Sequence, residues 1–440
     1  MFRKALLAHT ALAGVLAFGS PLAMAADLTV DGTSTSGTVA LTSGQSLTVE
    51  AGGTVTSSTS TAAVGQTGTV DGASASITNA GTISNTYGSG GRAIDINDNT
   101  KYRTLTITNS GSISATEDAI RVNKALASGT TLTITNSGTI RSTTGQALDL
   151  KAMTAASGVS ATITNTATGI ISADAADVIR PGVGANIVNA GVICAGTYSA
   201  GACTSSTSSG DGIDGQDNTG ITITNQTGGL ISGAKHGITG ESGPTVTNQS
   251  GATIEGRNGS GVNIDNADID ETSGAFTALR TAATVTNYGT ITGTGTDGDG
   301  VDVDGQVILY NYGTINAQSA TGVNTAEAVA AGGGTIVNYA GATLTGAHNG
   351  ILIDNGSTGA DYSAALATTI TNAGTITGQN GYAIKLVGST GYGSASLDDT
   401  ITNSGIIQSA GGATVIDMGG GNDTLSTTGS FSGSGATTVL

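Results

Sequence analysis

Five places in the chain carry residue types that do chemistry. Asp297-Gly298-Asp299-Gly300-Val301-Asp302-Val303-Asp304-Gly305 is the densest run of carboxylates. Strand alternation puts Asp302 and Asp304 on one outer face, and paired carboxylates cleave glycosides. A solvated strand face looks the same, and Val301 stands where a helix-loop-helix calcium site needs an oxygen ligand. Asn422 and Asp423, in the run Gly419-Gly420-Gly421-Asn422-Asp423-Thr424-Leu425, offer oxygens to calcium, but a single copy leaves the shell incomplete. Ser242, in Gly240-Glu241-Ser242-Gly243-Pro244, has His236 six residues before it. Serine nucleophiles of this kind need His and Asp on separate strands far upstream, and no such segment precedes residue 240, so the phrase reads as chance. His348 has no partner suggested by the sequence. Cys194 and Cys203, with eight residues between them, read as a disulfide pinching one loop, because no His lies near and the spacing fits no zinc motif.

None of these groups sits in a globular frame. The frame is a phrase written twelve times, apolar–x–apolar/Thr–Thr/Val–Asn followed by Gly and a further apolar residue. Its anchors are Asn79, Asn109, Asn136, Asn165, Asn189, Asn225, Asn248, Asn287, Asn311, Asn338, Asn372 and Asn403. In 131–150, Leu132, Ile134, Asn136 and Ile140 share one parity, which is the strand period, and Gly138 is expected to give the corner unusual backbone angles. A second limb follows each anchor as small–apolar–variable, for example Ala93-Ile94-Asp95, Ala119-Ile120-Arg121 and Gly322-Val323-Asn324. Three short strands per repeat, stacked in parallel, predict an all-β fold: a right-handed parallel β-helix of about 12–13 rungs. By parity the anchoring Asn points inward, where stacked amides form a ladder. This is a structural role, not a ligand role.

The variable position of the second limb reads Asp95, Arg121, Asp149, Arg180, Asp214 over five consecutive rungs. In register, opposite charges alternate along one outer face. Such pairs fix register more than they stabilise, since an exposed pair is worth roughly 0–1 kcal/mol. Residues 27–76 read as an amino-terminal cap with irregular first rungs, with Glu50 of Leu47-Thr48-Val49-Glu50 in the Asn place. The regular repeats are expected over 77–417, with 418–440 read as a Gly-rich end, expected to be truncated.

Composition agrees with a narrow solenoid core. Gly is 71 of 440 residues, aromatics are 3% and Trp is absent, so few large rings need room. Residues 1–26 read as an export signal, with Arg3 and Lys4, an apolar stretch, and Ala23-Met24-Ala25 at the cleavage site. Removing it lowers Lys+Arg from 14 to 12 against 31 Asp+Glu, a net charge of −19. That balance argues against nucleic acid as a partner.

Signal segment, acidic Thr/Gly/Asn-rich rungs of the form Ile-Thr-Asn-x-Gly-Thr-Ile and scarce cysteine together resemble the passenger region of bacterial outer-membrane autotransporters, over about residues 27–430. The resemblance implies export through the inner membrane, display at the Gram-negative cell surface, and an outer-membrane β-barrel translocator in cis or encoded nearby. No barrel-like segment follows the repeats. It further implies an adhesive or display scaffold with no catalysis and no cofactor, binding host or abiotic surfaces through the longer insertions at 194–212, 265–282 and 354–368. Gly419–Leu425 resembles the calcium-binding nonapeptide of repeat-in-toxin proteins, with Met418 replacing the first Gly. Because β-helices also host pectin-degrading enzymes, a polysaccharide lyase or hydrolase is the alternative, and an inert stalk or fragment the third.

Overall fold

The Asn-Gly phrase folds as a corner between two strands. In the computed structural model the described residues are 26–42, 44–66, 74–96, 104–122, 128–153, 159–205, 207–270, 275–295, 298–319, 325–353, 366–386, 397–411 and 414–433. In the strand Thr131–Asn136, Leu132, Ile134 and Asn136 are buried while Thr133 and Thr135 face outward. The next strand, Thr139–Ser142, buries Ile140 and Ser142, and a third, Leu148–Asp149, closes the turn. Thr and Ile suit such strands because a branched Cβ fits a pleated, half-buried surface. The corner glycine has a different reason from the expected one. Gly138 is not among the residues with positive φ. Instead, a Cβ there would run into the carbonyl of Gly111 in the turn below. Turns stack too closely at this corner for any side chain.

Each strand pairs in parallel with its equivalents in the turns below and above. Thr131–Asn136 lies between Thr104–Asn109 and Ser160–Asn165, with Asn109, Asn136 and Asn165 level. The second and third strands follow the same rule. The molecule is therefore a parallel β-helix with three faces. The first face ends on Asn, the second follows the corner, and the third carries the second limb. The second face is a sheet of 15 strands. The other two faces merge into a sheet of 27, because strands Val301–Asn311 and Val329–Asn338 each run from the third face straight into the first. The described residues contain no helix long and apolar enough to cross a membrane.

Twelve turns carry the Asn. Two more precede them, entered by Leu28–Val30 and Leu47–Val49, and one follows, entered by Thr424–Thr427. These flanking turns are regular in register, and they correct one expectation. Val49, not Glu50, is level with Asn79, and Val30 lies below it. At the other end Thr427 is level with Asn403. A second correction concerns Gly322-Val323-Asn324, which lies outside the described residues. In that turn Val329 takes the third-face place, level with Val301 and Ile351.

The core is a set of aliphatic columns. Ile77, Ile107, Ile134, Ile163, Ile187 and Ile223 are stacked in one of them, each no more than 2% exposed. Each such side chain contributes about 1.5–3 kcal/mol by leaving water. Contacts of this kind reach only the neighbouring turns, so stability accumulates turn by turn.

Candidate functional site

The anchoring asparagines come first, because they hold every other group in place. Asn79 Nδ2 donates to Asn109 Oδ1 at 2.7 Å, Asn109 to Asn136 at 2.8 Å, and Asn136 to Asn165 at 2.9 Å. The chain of amides continues through Asn189, Asn225, Asn248, Asn287, Asn311, Asn338 and Asn372 to Asn403. Asn403 Nδ2 then donates to Thr427 Oγ1 at 3.3 Å. Every donor points the same way along the rod. Asn79 Oδ1, at the first end, is buried without a donor. All twelve side chains are used within the fold.

A second ladder, which sequence reasoning missed, runs along the corner before the third face. There a side-chain acceptor takes the backbone N–H of the equivalent residue one turn on. Asp118 Oδ1 accepts from Gln146 N (3.1 Å), Asp177 Oδ1 from Asp211 N (3.0 Å) and Asp211 Oδ1 from His236 N (2.8 Å). His236 Nδ1 accepts from Ser260 N (2.9 Å), Asp299 Oδ1 from Glu327 N (2.6 Å) and Asn349 Oδ1 from Tyr382 N (2.8 Å). The residue type varies because only the acceptor matters. His236 is therefore a structural acceptor, neutral at Nδ1. Burial, with Lys235 next to it, lowers its pKa to about 4. Burial pushes the Asp211 carboxyl up to about 7, against the pull of the His236 N–H. His348 Nδ1 lies 3.1 Å from Glu327 Oε1, which also accepts from Asn349 Nδ2 at 2.8 Å. Ser242 is buried.

The alternating charges stand in register, Asp95 with Arg121, Arg121 with Asp149, and Asp149 with Arg180. They are not the exposed face expected from the sequence: Asp95 and Asp149 are buried, and Arg121, Arg180 and Asp214 are partly buried, beside the corner ladder. Arg121 Nε is shared between Asp95 (3.5 Å) and Asp118 (3.9 Å), and Arg92 also holds Asp118 at 3.2 Å. Arg180 pairs with Asp177 at 2.6 Å and Asp214 at 3.4 Å. Asp149 Oδ1 is left without a hydrogen bond. Burial and the neighbouring Asp118 raise its carboxyl above the usual range.

Beyond Asp214 the third face opens into a cleft of about 390 Å³, lined by Asp214, Gln216, Asp217, Thr239, Gly240, Glu241 and Asp265. Three successive turns contribute. Glu241 N donates to Gln216 O at 2.7 Å, and Asp265 N to Gly240 O at 2.9 Å. Gln216 has positive φ, 50°, a conformation that non-glycine residues adopt at a cost and that occurs at built sites. Burial raises the carboxyls of Asp214 and Asp265, Asp177 adding to the first and Glu241 to the second.

Two hairpins rise from this part of the rod. Strands Thr197–Ser199 and Ala202–Thr204 pair antiparallel, and the disulfide Cys194–Cys203 ties them to the second face. Strands Ala267–Asp270 and Ala275–Leu279 form the other hairpin. Arg280 fastens it, with Nε on Asp268 at 2.8 Å and a terminal nitrogen on Glu241 at 2.6 Å. These are two of the three insertions singled out from sequence. Most of the third, 354–365, lies outside the described residues, as do residues 1–25 of the export segment. On the far corner, Tyr288, Tyr312 and Tyr339 each follow an anchoring Asn and stack with centroids 4.6 and 3.9 Å apart.

The remaining expected groups are dispersed. Asp302 and Asp304 do share an outward parity in strand Val301–Asn311, and Asp297 lies outside the described residues. Asp423 Oδ1 accepts from Asp399 N at 2.9 Å, and Asn422 N donates to Asp398 Oδ1 at 2.8 Å. Among the described residues no group of three or more His, Cys, Asp or Glu is placed to hold a metal ion. No protein-family model matches the chain, and comparison with curated proteins and with solved structures finds no match.

Proposed function

We propose that this chain is an exported β-helical passenger displayed at the surface of a Gram-negative cell, where it serves as an adhesin or display scaffold. An outer-membrane β-barrel, in cis or encoded nearby, would carry it out. The observation that carries the reading is the pair of hairpins fastened to the stack at the two edges of its third face, one by Cys194–Cys203 and one by Arg280. Loops held on a rigid scaffold are where binding residues concentrate. The tyrosine column, with Tyr288 and Tyr312 exposed, adds a second contact surface, since Tyr supplies large contact area at low entropic cost. The test is binding of the purified rod to host cells and to abiotic surfaces, beside a variant with residues 197–204 replaced by a tight turn. Equal binding by both, or none by either, would remove the support.

A second reading rests on the cleft. Its raised carboxyls at Asp214 and Asp265 favour a polysaccharide-active β-helix enzyme. Incubation with acidic and neutral glycans, with and without calcium, tests it, and Asp265→Asn should abolish any depolymerisation found.

A further inference from the structure

The outward positions of the first face are threonine to a degree that neither other face repeats. Eight of the twelve Asn-anchored strands carry Thr-x-Thr immediately before the Asn, at 106–108, 133–135, 162–164, 222–224, 245–247, 284–286, 369–371 and 400–402. The strand pairings put these residues level. Thr106, Thr133 and Thr162 form one rank, and Thr108, Thr135 and Thr164 the next. A second block of three turns follows at 222–286. The second face carries Thr-x-Thr in only four strands, at 54–56, 290–292, 343–345 and 375–377, its outward positions include Ser114, Arg141, Glu255 and Gln408 as well, and the third face carries the charges.

The result is a rectangular lattice of hydroxyl and methyl groups. Its repeats are about 4.8 Å along the rod and about 6.6 Å across it. Thr is stiff at χ1, so the array is ordered before anything binds. The hydroxyls of these six threonines have no protein hydrogen-bond partner. No charge falls within the two ranks, although the chain carries a net charge of −17. A neutral, flat, two-dimensional hydroxyl lattice is complementary to a neutral crystalline lattice of water, whose surface oxygens repeat at comparable distances on two perpendicular axes. Hydroxyls bond to the surface while methyl groups exclude disordered water. We propose that the first face binds ice, its ligand being the crystal face of ice.

The experiment is incorporation of fluorescently labelled, purified protein into a growing ice hemisphere, together with inhibition of ice recrystallisation. The native protein should enter the ice. Thr135→Tyr, which breaks the flat face, should weaken inhibition by about tenfold or more, and Ser114→Tyr on the second face should leave it intact. Far-UV circular dichroism checks each fold, and Thr164→Lys is the second lattice variant should Thr135→Tyr misfold. Exclusion of the folded native protein from ice would overturn the proposal. So would equal activity of the lattice and Ser114 variants, or retention on crystalline cellulose or chitin in place of ice.

Discussion

At the scale of single residues, the two ladders make opposite demands on their ends and on pH. The amide ladder starts on Asn79, whose Oδ1 has no donor because Val49 is level with it. Val49→Thr keeps the branched shape and adds a hydroxyl that can donate, so it should stabilise by about 1 kcal/mol in urea unfolding. A loss of stability would mean that Asn79 is served otherwise. In the corner ladder, His236 has its pKa lowered to about 4 and Asp211 raised to about 7. The contribution of His236 is complete above the unfolded His value of 6.5 and is lost as pH falls through about 4. That of Asp211 is complete below the unfolded Asp value of 3.8 and is lost as pH rises through about 7. Across pH 4 to 6.5 the two slopes oppose each other. Relative to the native protein, His236→Asn should therefore lose stability as pH rises through that window, and Asp211→Asn should gain it. Both variants keep an acceptor. Parallel pH profiles for all three proteins would show that neither group titrates as described.

At the scale of elements, register depends on the charges between the strands. Arg121→Asp would place a fourth carboxylate among Asp95, Asp118 and Asp149. Asp95, Asp118 and Asp149 are buried and Arg121 is partly exposed, so the expected cost is about 2 kcal/mol, between that of an exposed pair and a fully buried one. Hydrogen exchange should quicken in the third-face strands from 94 to 149 and not beyond 238. A uniform change along the rod would contradict a local role. The Asn corner was legible in the sequence because one residue type does one job at constant local spacing. The corner ladder was not, since Asp, His and Asn all accept an N–H and loops of variable length separate them. Glu50 was misplaced for a similar reason, because the sequence shows no sign that the column continues as Val49 and Val30. The cleft was visible only as Gly240-Glu241-Ser242, a phrase that resembled a nucleophile loop. Glu241 faces the cleft because the turns below and above supply Gln216 and Asp265 beside it.

At the scale of the whole molecule, nearest-neighbour stacking separates what loops do from what the rod does. Reduction of Cys194–Cys203 should free the 197–204 hairpin to proteolysis and leave far-UV circular dichroism and the main melting transition nearly unchanged. A collapse of the rod on reduction would show that the bond carries the stack. Turn length has a consequence of its own. Consecutive anchors are 23 residues apart at the shortest and 39 at the longest. Pulled by one end, the rod should yield one turn at a time, releasing about 80 to 130 Å of chain per event. Because most turns have their own length and the series is not symmetric, the succession of releases in a single-molecule force trace would spell out the order of the turns, and would tell from which end the rod was being undone.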